Sequence, residues 1–459
     1  MSYAQALQFL YDLRWFGAKL GLENTLKLAG LAGNPHLNLR FIHVAGTNGK
    51  GSTCAILESI YRASGLRVGL FTSPHLVAFG ERIQVNRNPI RENEIVRLVT
   101  EIRLLLEQGW GAAQEPDVQV LGHPTFFEVV TVMALRYFAE QKCDLVIWET
   151  GLGGRLDATN IVTPLASVIT NIQYDHQKWL GETLAEIAFE KAGIIKQDVP
   201  VVTATHEAEA LQVIEQIAQQ RKALLTIVTR SDAECPPLDS VALPLAGLHQ
   251  KLNAATAVTT VRTLAPILPV DEIAIRHGLS TVQWPGRLQL ITRASGQKIL
   301  LDGAHNPDGA EALAAALPEV LQAAGQAGRR ETCPTQFCLI LGILRDKDYV
   351  RICEILAPLF GRILTVPVPS ERSATPQELA ETSRGINPAA EVTECPSMSE
   401  ALRLTENYEF TTITGSLYLV GEAINLLNPS PKHMFDERKL NEWNDGMSVA
   451  ERAVTANSK

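Results

Sequence analysis

The chain has 459 residues, 46% of them hydrophobic and 20% charged, with a formal net charge of -9. That balance excludes a disordered chain, and the length predicts two hydrophobic cores rather than one. The acidic surplus argues against a nucleic-acid binder, which needs excess Lys and Arg to neutralise phosphates, so an anionic ligand must be held by local groups.

The N-terminal run MSYAQALQFLYDL carries Asp12 within an apolar stretch and has no basic leader, which predicts an amphipathic helix and not a signal peptide. Short β-rich runs at 39–45, 67–71, 144–149, 165–170 and 199–203 then alternate with helical patterns such as 52–64. This alternation predicts a doubly wound α/β domain, expected over residues 1–285. A helix at 271–280 ends before Trp284-Pro285-Gly286-Arg287, where the Pro-Gly pair marks a join, and 286–297 reads as a linker. A second series has strands at 298–301, 336–341, 362–366 and 411–414 and helices at 308–324, 348–359, 376–384 and 398–406. It predicts a smaller, Rossmann-like α/β domain over 298–428, and a cleft between two such domains is a common place for a ligand. Residues 429–459 lose the strand pattern and turn polar, as expected of a loosely attached tail.

The longest apolar run, 337–344, is far too short to span a bilayer, so no membrane partner is expected. Seven cysteines, at 54, 143, 235, 333, 338, 353 and 395, form no C-x-x-C pair and read as reduced thiols of a cytoplasmic protein. No Cys/His pair follows Cys333 and Cys338 to complete a zinc site.

The segment Phe41-Ile-His-Val-Ala-Gly46-Thr47-Asn48-Gly49-Lys50-Gly51-Ser52-Thr53 sets a glycine-rich loop between a strand and a helix. Glycines let successive N–H groups turn toward phosphate oxygens, the helix N-terminus adds its positive end, and Lys50 is placed to reach the terminal phosphates. The match to the general phosphate loop is imperfect. Val44 stands where the first glycine falls, and Gly51 separates Lys50 from the hydroxyl of Ser52. A plain glycine turn after a buried strand is the alternative. Glu149 ends an apolar strand ahead of another glycine-rich turn, where an α/β site places a ligand for a hard cation such as Mg²⁺.

The departures in the loop point to a family. AGTNGKGST resembles the variant loop of the Mur-ligase superfamily, and its Gly-Lys-Gly-Ser form resembles folylpolyglutamate synthases and dihydrofolate synthases. Further segments follow in order: Phe71-Thr-Ser73-Pro-His-Leu76, Glu81-Arg82-Ile83, Pro124-Thr-Phe-Phe-Glu128, Glu149-Thr-Gly-Leu-Gly-Gly-Arg155-Leu-Asp157-Ala-Thr-Asn160, Asp175-His176, Glu190-Lys191-Ala-Gly193, His249-Gln-Lys-Leu-Asn253, Pro285-Gly-Arg287 and Asp302-Gly-Ala-His305-Asn-Pro307. The resemblance spans about residues 39 to 425. It implies a Mur-ligase-like, P-loop ATPase-like first domain and an ATP- and Mg²⁺-dependent ligase of the bifunctional bacterial type. Such an enzyme adds L-glutamate to dihydropteroate, to the glutamate tail of reduced folates, or to both, through an acyl phosphate.

The resemblance also implies roles. ATP contacts are expected from Thr47, Asn48, Gly49, Lys50, Gly51, Ser52, Asn253, Arg287, Asp302 and His305. Two Mg²⁺ sites are expected from Ser73, Glu149, His176 and Lys191, with Lys191 carbamylated so that its ammonium becomes an anion a cation accepts. The folate side is expected from Pro124, Thr125, Phe126 and Phe127 and from Leu156, Asp157 and Ala158, since rings stack on a flat heterocycle and a carboxylate accepts from its N–H groups. Lys50, Lys191, His176 and Arg287 are the catalytic candidates, acting by positioning and charge neutralisation. From the residues alone, Phe126 and Phe127 suit a core equally well, Asn253 and Asp302 suit helix caps, and Lys191 suits an ion-paired surface. A monomer is expected. A muramyl-peptide ligase shares the loop, but the segment at Ser73 and Arg155-Leu-Asp-Ala-Thr-Asn160 count against it. A regulatory nucleotide switch would need an N-K-x-D motif, which is absent.

Overall fold

In the computed structural model, which describes residues 1–16, 21–111, 122–326, 337–428 and 436–441, two sheets form in succession along the chain. The first holds β1 (Phe41–Ala45), β2 (Val68–Phe71), β3 (Ile83–Val85), β4 (Asn88–Pro89), β5 (Leu145–Glu149), β6 (Ala166–Ile169), β7 (Val201–Thr203) and β8 (Leu225–Ile227). Their order is β4-β3-β2-β5-β1-β6-β7-β8. All neighbours are parallel except the β2-β3-β4 edge. β1 and β5 are wholly buried, as befits parallel strands covered by helices on both faces. Their alternate residues feed two cores. Phe41, Val146 and Trp148 pack with the helices Tyr3–Asp12, Glu92–Trp110 and Phe126–Glu140. Ile42, Val44, Leu145 and Ile147 pack with Lys50–Ala63, Leu248–Thr263 and Glu272–Thr281.

The second sheet holds β9 (Gln289–Thr292), β10 (Lys298–Leu301), β11 (Phe337–Leu341), β12 (Arg362–Thr365), β13 (Glu391–Glu394) and β14 (Phe410–Thr414), in the order β13-β12-β11-β14-β10-β9. Only β9 is antiparallel to its neighbour. The first sheet thus reverses direction around β1, and the loops after β1, β5 and β6 open together at that switch point, where open α/β sheets bind ligands.

Two sequence expectations are corrected. Residues 289–292, assigned to a linker, form β9: the turn at Ser295-Gly296 folds the segment back so that Thr292 pairs with Lys298. Loose attachment does not hold for residues 436–441 of the tail, where Leu440 and Asn441 are buried. Cys333 lies outside the described residues. Among the described cysteines all are free thiols, and only Cys235 is exposed. No described helix is long and apolar enough to cross a membrane.

Candidate active site

The helix Lys50–Ala63 begins at the loop lysine itself, two residues earlier than its apolar pattern suggests. Gly49 precedes it at φ +83°, a left-handed conformation that glycine adopts without penalty, and no side chain caps the first-turn N–H groups. Those groups are left for an anion. Gly51 is required by a close approach, because a Cβ there would stand 2.8 Å from the Trp284 indole. The extra glycine between Lys50 and Ser52 therefore lets the residue before the domain join close over the loop. Lys50 Nζ donates to the carbonyls of Gly46 and Thr47, both at 3.0 Å. Ser52 Oγ is buried without a hydrogen-bond partner among the described residues.

Lys191 projects from the helix Leu184–Ala192 to the same loop, its Nζ donating to the Gly46 carbonyl at 2.8 Å. Burial, with Lys50 beside it, pushes the Lys191 ammonium down to about 7. At the end of β5, Glu149 accepts from the Ser73 N–H at 3.0 Å. Burial pushes its carboxyl up to about 7 despite the nearby Lys50, Ser73 N–H and Arg287. His176 opens a short helix and is kept neutral by burial, its pKa pushed down to about 3. No three His, Cys, Asp or Glu side chains cluster as a metal cage among the described residues. Within one cleft, the buried Glu149 carboxylate, the orphaned Ser52 hydroxyl and the neutral His176 imidazole instead suit a hard cation whose remaining ligands are phosphate oxygens and water.

The second domain meets the loop directly. Asn48 Nδ2 donates to Asp308 Oδ2 at 2.6 Å and to Asn306 Oδ1 at 3.2 Å. Lys347 Nζ donates to Asp175 Oδ1 at 2.5 Å. Burial alone would raise the Asp175 carboxyl, but His176, His305 and Lys347 overcome it and hold it well below the ordinary carboxylate range. Arg287 is half-buried and lines the cleft, with Asp302 and Glu149 as its nearby anions. The Asp302 carboxylate accepts from the Leu288 and Ala304 N–H groups, both at 2.9 Å, so it organises the strand edge that carries Arg287.

Every residue expected at the nucleotide, metal and folate sites lines one cleft of about 1140 Å³, except Pro124. Pro124 is buried behind it, its carbonyl 2.9 Å from His123 Nδ1. Thr125 caps the helix Phe126–Glu140 in a reciprocal pair with Glu128. Phe126 is buried in the first core beneath the Arg82 guanidinium, 5.4 Å from its ring centre, and Phe127 packs on Phe71. The Asp157 carboxylate accepts from the N–H groups of Gly151, Leu152 and Thr159 and from the Thr159 hydroxyl. It thus shapes the turn after Glu149 as well as facing the cleft. Sequence reasoning missed the Asp175–Lys347 and Asn48–Asp308 pairings. Asp175 stood beside a candidate ligand, but nothing along the chain linked it to a lysine 172 residues away.

The middle domain of Mur ligases matches residues 44–261, and the glutamate ligase domain of Mur ligases matches residues 286–410. The dihydrofolate synthase/folylpolyglutamate synthase of Bacillus subtilis strain 168 is 35% identical over 448 residues, 92% of this chain and 98% of that protein. The crystal structure of folylpolyglutamate synthase from Thermotoga maritima superposes with a TM-score of 0.76 at 33% identity, covering 95% of this chain and 99% of that one. E. coli FolC in complex with DHPP and ADP superposes with a TM-score of 0.77 at 30% identity, covering 93% and 98%.

Proposed function

Because the chain belongs to the dihydrofolate synthase/folylpolyglutamate synthase family of Mur ligases, we propose that it uses ATP to join L-glutamate to dihydropteroate and to the glutamate tail of reduced folates. The observation that carries this reading is the shared cleft: the phosphate loop with Lys50 and the Phe127–Asp157 wall open into one space between the two domains. A nucleotide held by the loop and a flat heterocycle held by that wall would bring a phosphoryl group and a carboxylate together, and the acyl phosphate so formed is attacked by the amino group of glutamate. Lys50, released from the Gly46 and Thr47 carbonyls, neutralises the terminal phosphates, and Arg287 adds a second fixed cation as charge moves to the leaving group. Asn253, close behind Gly49, and His305, beside Asp175, frame the nucleotide from the helix Leu248–Thr263 and from the second domain.

Magnesium would supply charge neutralisation at the phosphate oxygens, and Ser73, Glu149 and His176 would hold it. Lys191 would serve a second ion as a carbamate. A buried amine near pKa 7 is neutral often enough for its nitrogen lone pair to bond the carbon of carbon dioxide, one C=O electron pair moving to oxygen and one proton leaving to water. All of these residues come from one chain, which supports action as a monomer, and dependence on ATP supports action in the cytoplasm. The test is ADP release in the presence of Mg²⁺ with dihydropteroate or a monoglutamyl reduced folate, with and without L-glutamate. Release that requires both the folate acceptor and glutamate is expected. Release indifferent to both would overturn the reading, and turnover of a muramyl acceptor instead would move the chain to the other branch.

A further inference from the structure

The segment 436–441 lies beyond the matched glutamate ligase domain, which ends at residue 410, yet it is built into the wall of the cleft. Leu440 is 1% exposed, packs in the first core with Phe126 and Phe79, and like Phe126 lines the cleft. Its neighbours fix it on both sides. The Glu437 carboxylate accepts from the Phe79 N–H at 2.6 Å and from the Tyr3 hydroxyl. Asn441 is a three-way tie: Oδ1 accepts from Arg82 at 2.5 Å, Nδ2 donates to the His75 carbonyl at 2.8 Å, and its own carbonyl accepts from the Tyr418 hydroxyl at 2.5 Å. Arg82 and His75 belong to the loop that follows Ser73, whereas Tyr418 opens the helix Leu417–Leu427 of the second domain.

The hydrogen bonds fix a direction for the network. Arg82 Nε has only a proton to give, so His75 Nδ1, at 2.8 Å, accepts, and His75 Nε2 then donates to the Glu437 carbonyl at 2.9 Å. The imidazole is therefore neutral, and the segment holds the Arg82 head group in place over the Phe126 ring from two directions. Leu440 and Phe126 contribute apolar surface to the cleft wall, with the Arg82 guanidinium over the Phe126 ring. A flat, hydrogen-bonding heterocycle suits such a surface, since its face is apolar and its edge is polar.

We propose that residues 437–441 are a specificity-determining element for the pterin-bearing substrate, with Leu440 as part of the wall and Glu437 and Asn441 as positioning residues acting through Arg82 and the loop after Ser73. The assignment rests on the ligase reading above. In the full-length chain, Leu440→Ala and Asn441→Ala should each raise the KM for dihydropteroate by about tenfold, the scale of losing one apolar contact in a binding pocket. The KM for ATP should stay within about twofold, as the ties of Glu437 and Asn441 run to His75, Phe79, Arg82 and Tyr418 and not to the phosphate loop, and Leu440→Met, which keeps the volume, should restore the dihydropteroate KM. Thermal melts of each variant report folding. Unchanged dihydropteroate KM in both folded alanine variants would overturn the assignment, as would a rise matched by the KM for ATP, the mark of a general loosening. A wild-type enzyme without folate-dependent ADP release would overturn the ligase reading itself, and the assignment with it. That outcome is distinct from an active wild type whose variants do not shift.

Discussion

Replacing Lys191 by methionine should abolish turnover and yet make the ligand-free protein more stable at neutral pH. The ammonium sits near pKa 7 in the fold against an ordinary 10.5. The unfolded chain therefore binds more protons than the native one between those values, and at pH 7 this lysine opposes folding by about 4 kcal/mol. The cost is fully present below pH 7 and fades as pH rises toward 10.5, falling to about 1 kcal/mol by pH 10. Methionine has similar length and no charge. It forfeits the bond to the Gly46 carbonyl, about 1 kcal/mol, but that carbonyl keeps Lys50 as a donor. The net expectation is a gain of about 3 kcal/mol at pH 7 that vanishes near pH 10. Urea unfolding of both proteins at several pH values in carbon dioxide-free buffer measures it, and ADP release measures the loss of function. A variant less stable than wild type at pH 7, or a difference that does not change with pH, would show that the lysine is not held as a strained, near-neutral amine, and retained turnover would remove the carbamate.

Lys50→Ala should fold normally, because among the described residues this side chain bonds only to its own loop, and should lower turnover by roughly a hundredfold or more, the scale of one lost electrostatic stabiliser. Near-normal turnover would take the terminal phosphates away from this loop. Glu149→Gln should raise the Mg²⁺ concentration needed for half-maximal rate. In the wild type, the Mg²⁺ concentration needed should likewise rise as pH falls through about 7, where the buried carboxylate takes up a proton, and the glutamine variant should lack that inflection. Asp157→Ala strips three N–H groups and a hydroxyl of their acceptor, so a stability loss of about 2–4 kcal/mol is expected in denaturant titrations. Its dihydropteroate turnover should fall further than elongation of a preformed folate, and equal loss of both would argue against a separate pterin site.

Much of the phosphate side was legible because it is local. A strand, a glycine turn and a helix lie within residues 41–63, and β5 carries Glu149 to the same edge by its own apolar run. What escaped was short or distant. β9 alternates between half-buried and exposed positions over four residues and carries too little apolar signal to stand out from a linker. The ties from Asn441 to His75 and Arg82 join residues about 360 apart, and only the folded chain brings them together. A different limit applies at Thr125, Asp157 and Asp302, whose positions in the motifs are read easily but whose oxygens accept from backbone N–H groups. A strand edge that must present ligand groups also leaves unpaired N–H groups at the start of the next turn or helix, and both needs are met by the same small oxygen-bearing residues. Spacing along the chain therefore marks the edge without dividing its residues between ligand and loop. The division appears only in which donors each carboxylate has already taken: among the described residues Glu149 accepts from the Ser73 N–H alone, which is why magnesium is proposed for it rather than for Asp157 or Asp302.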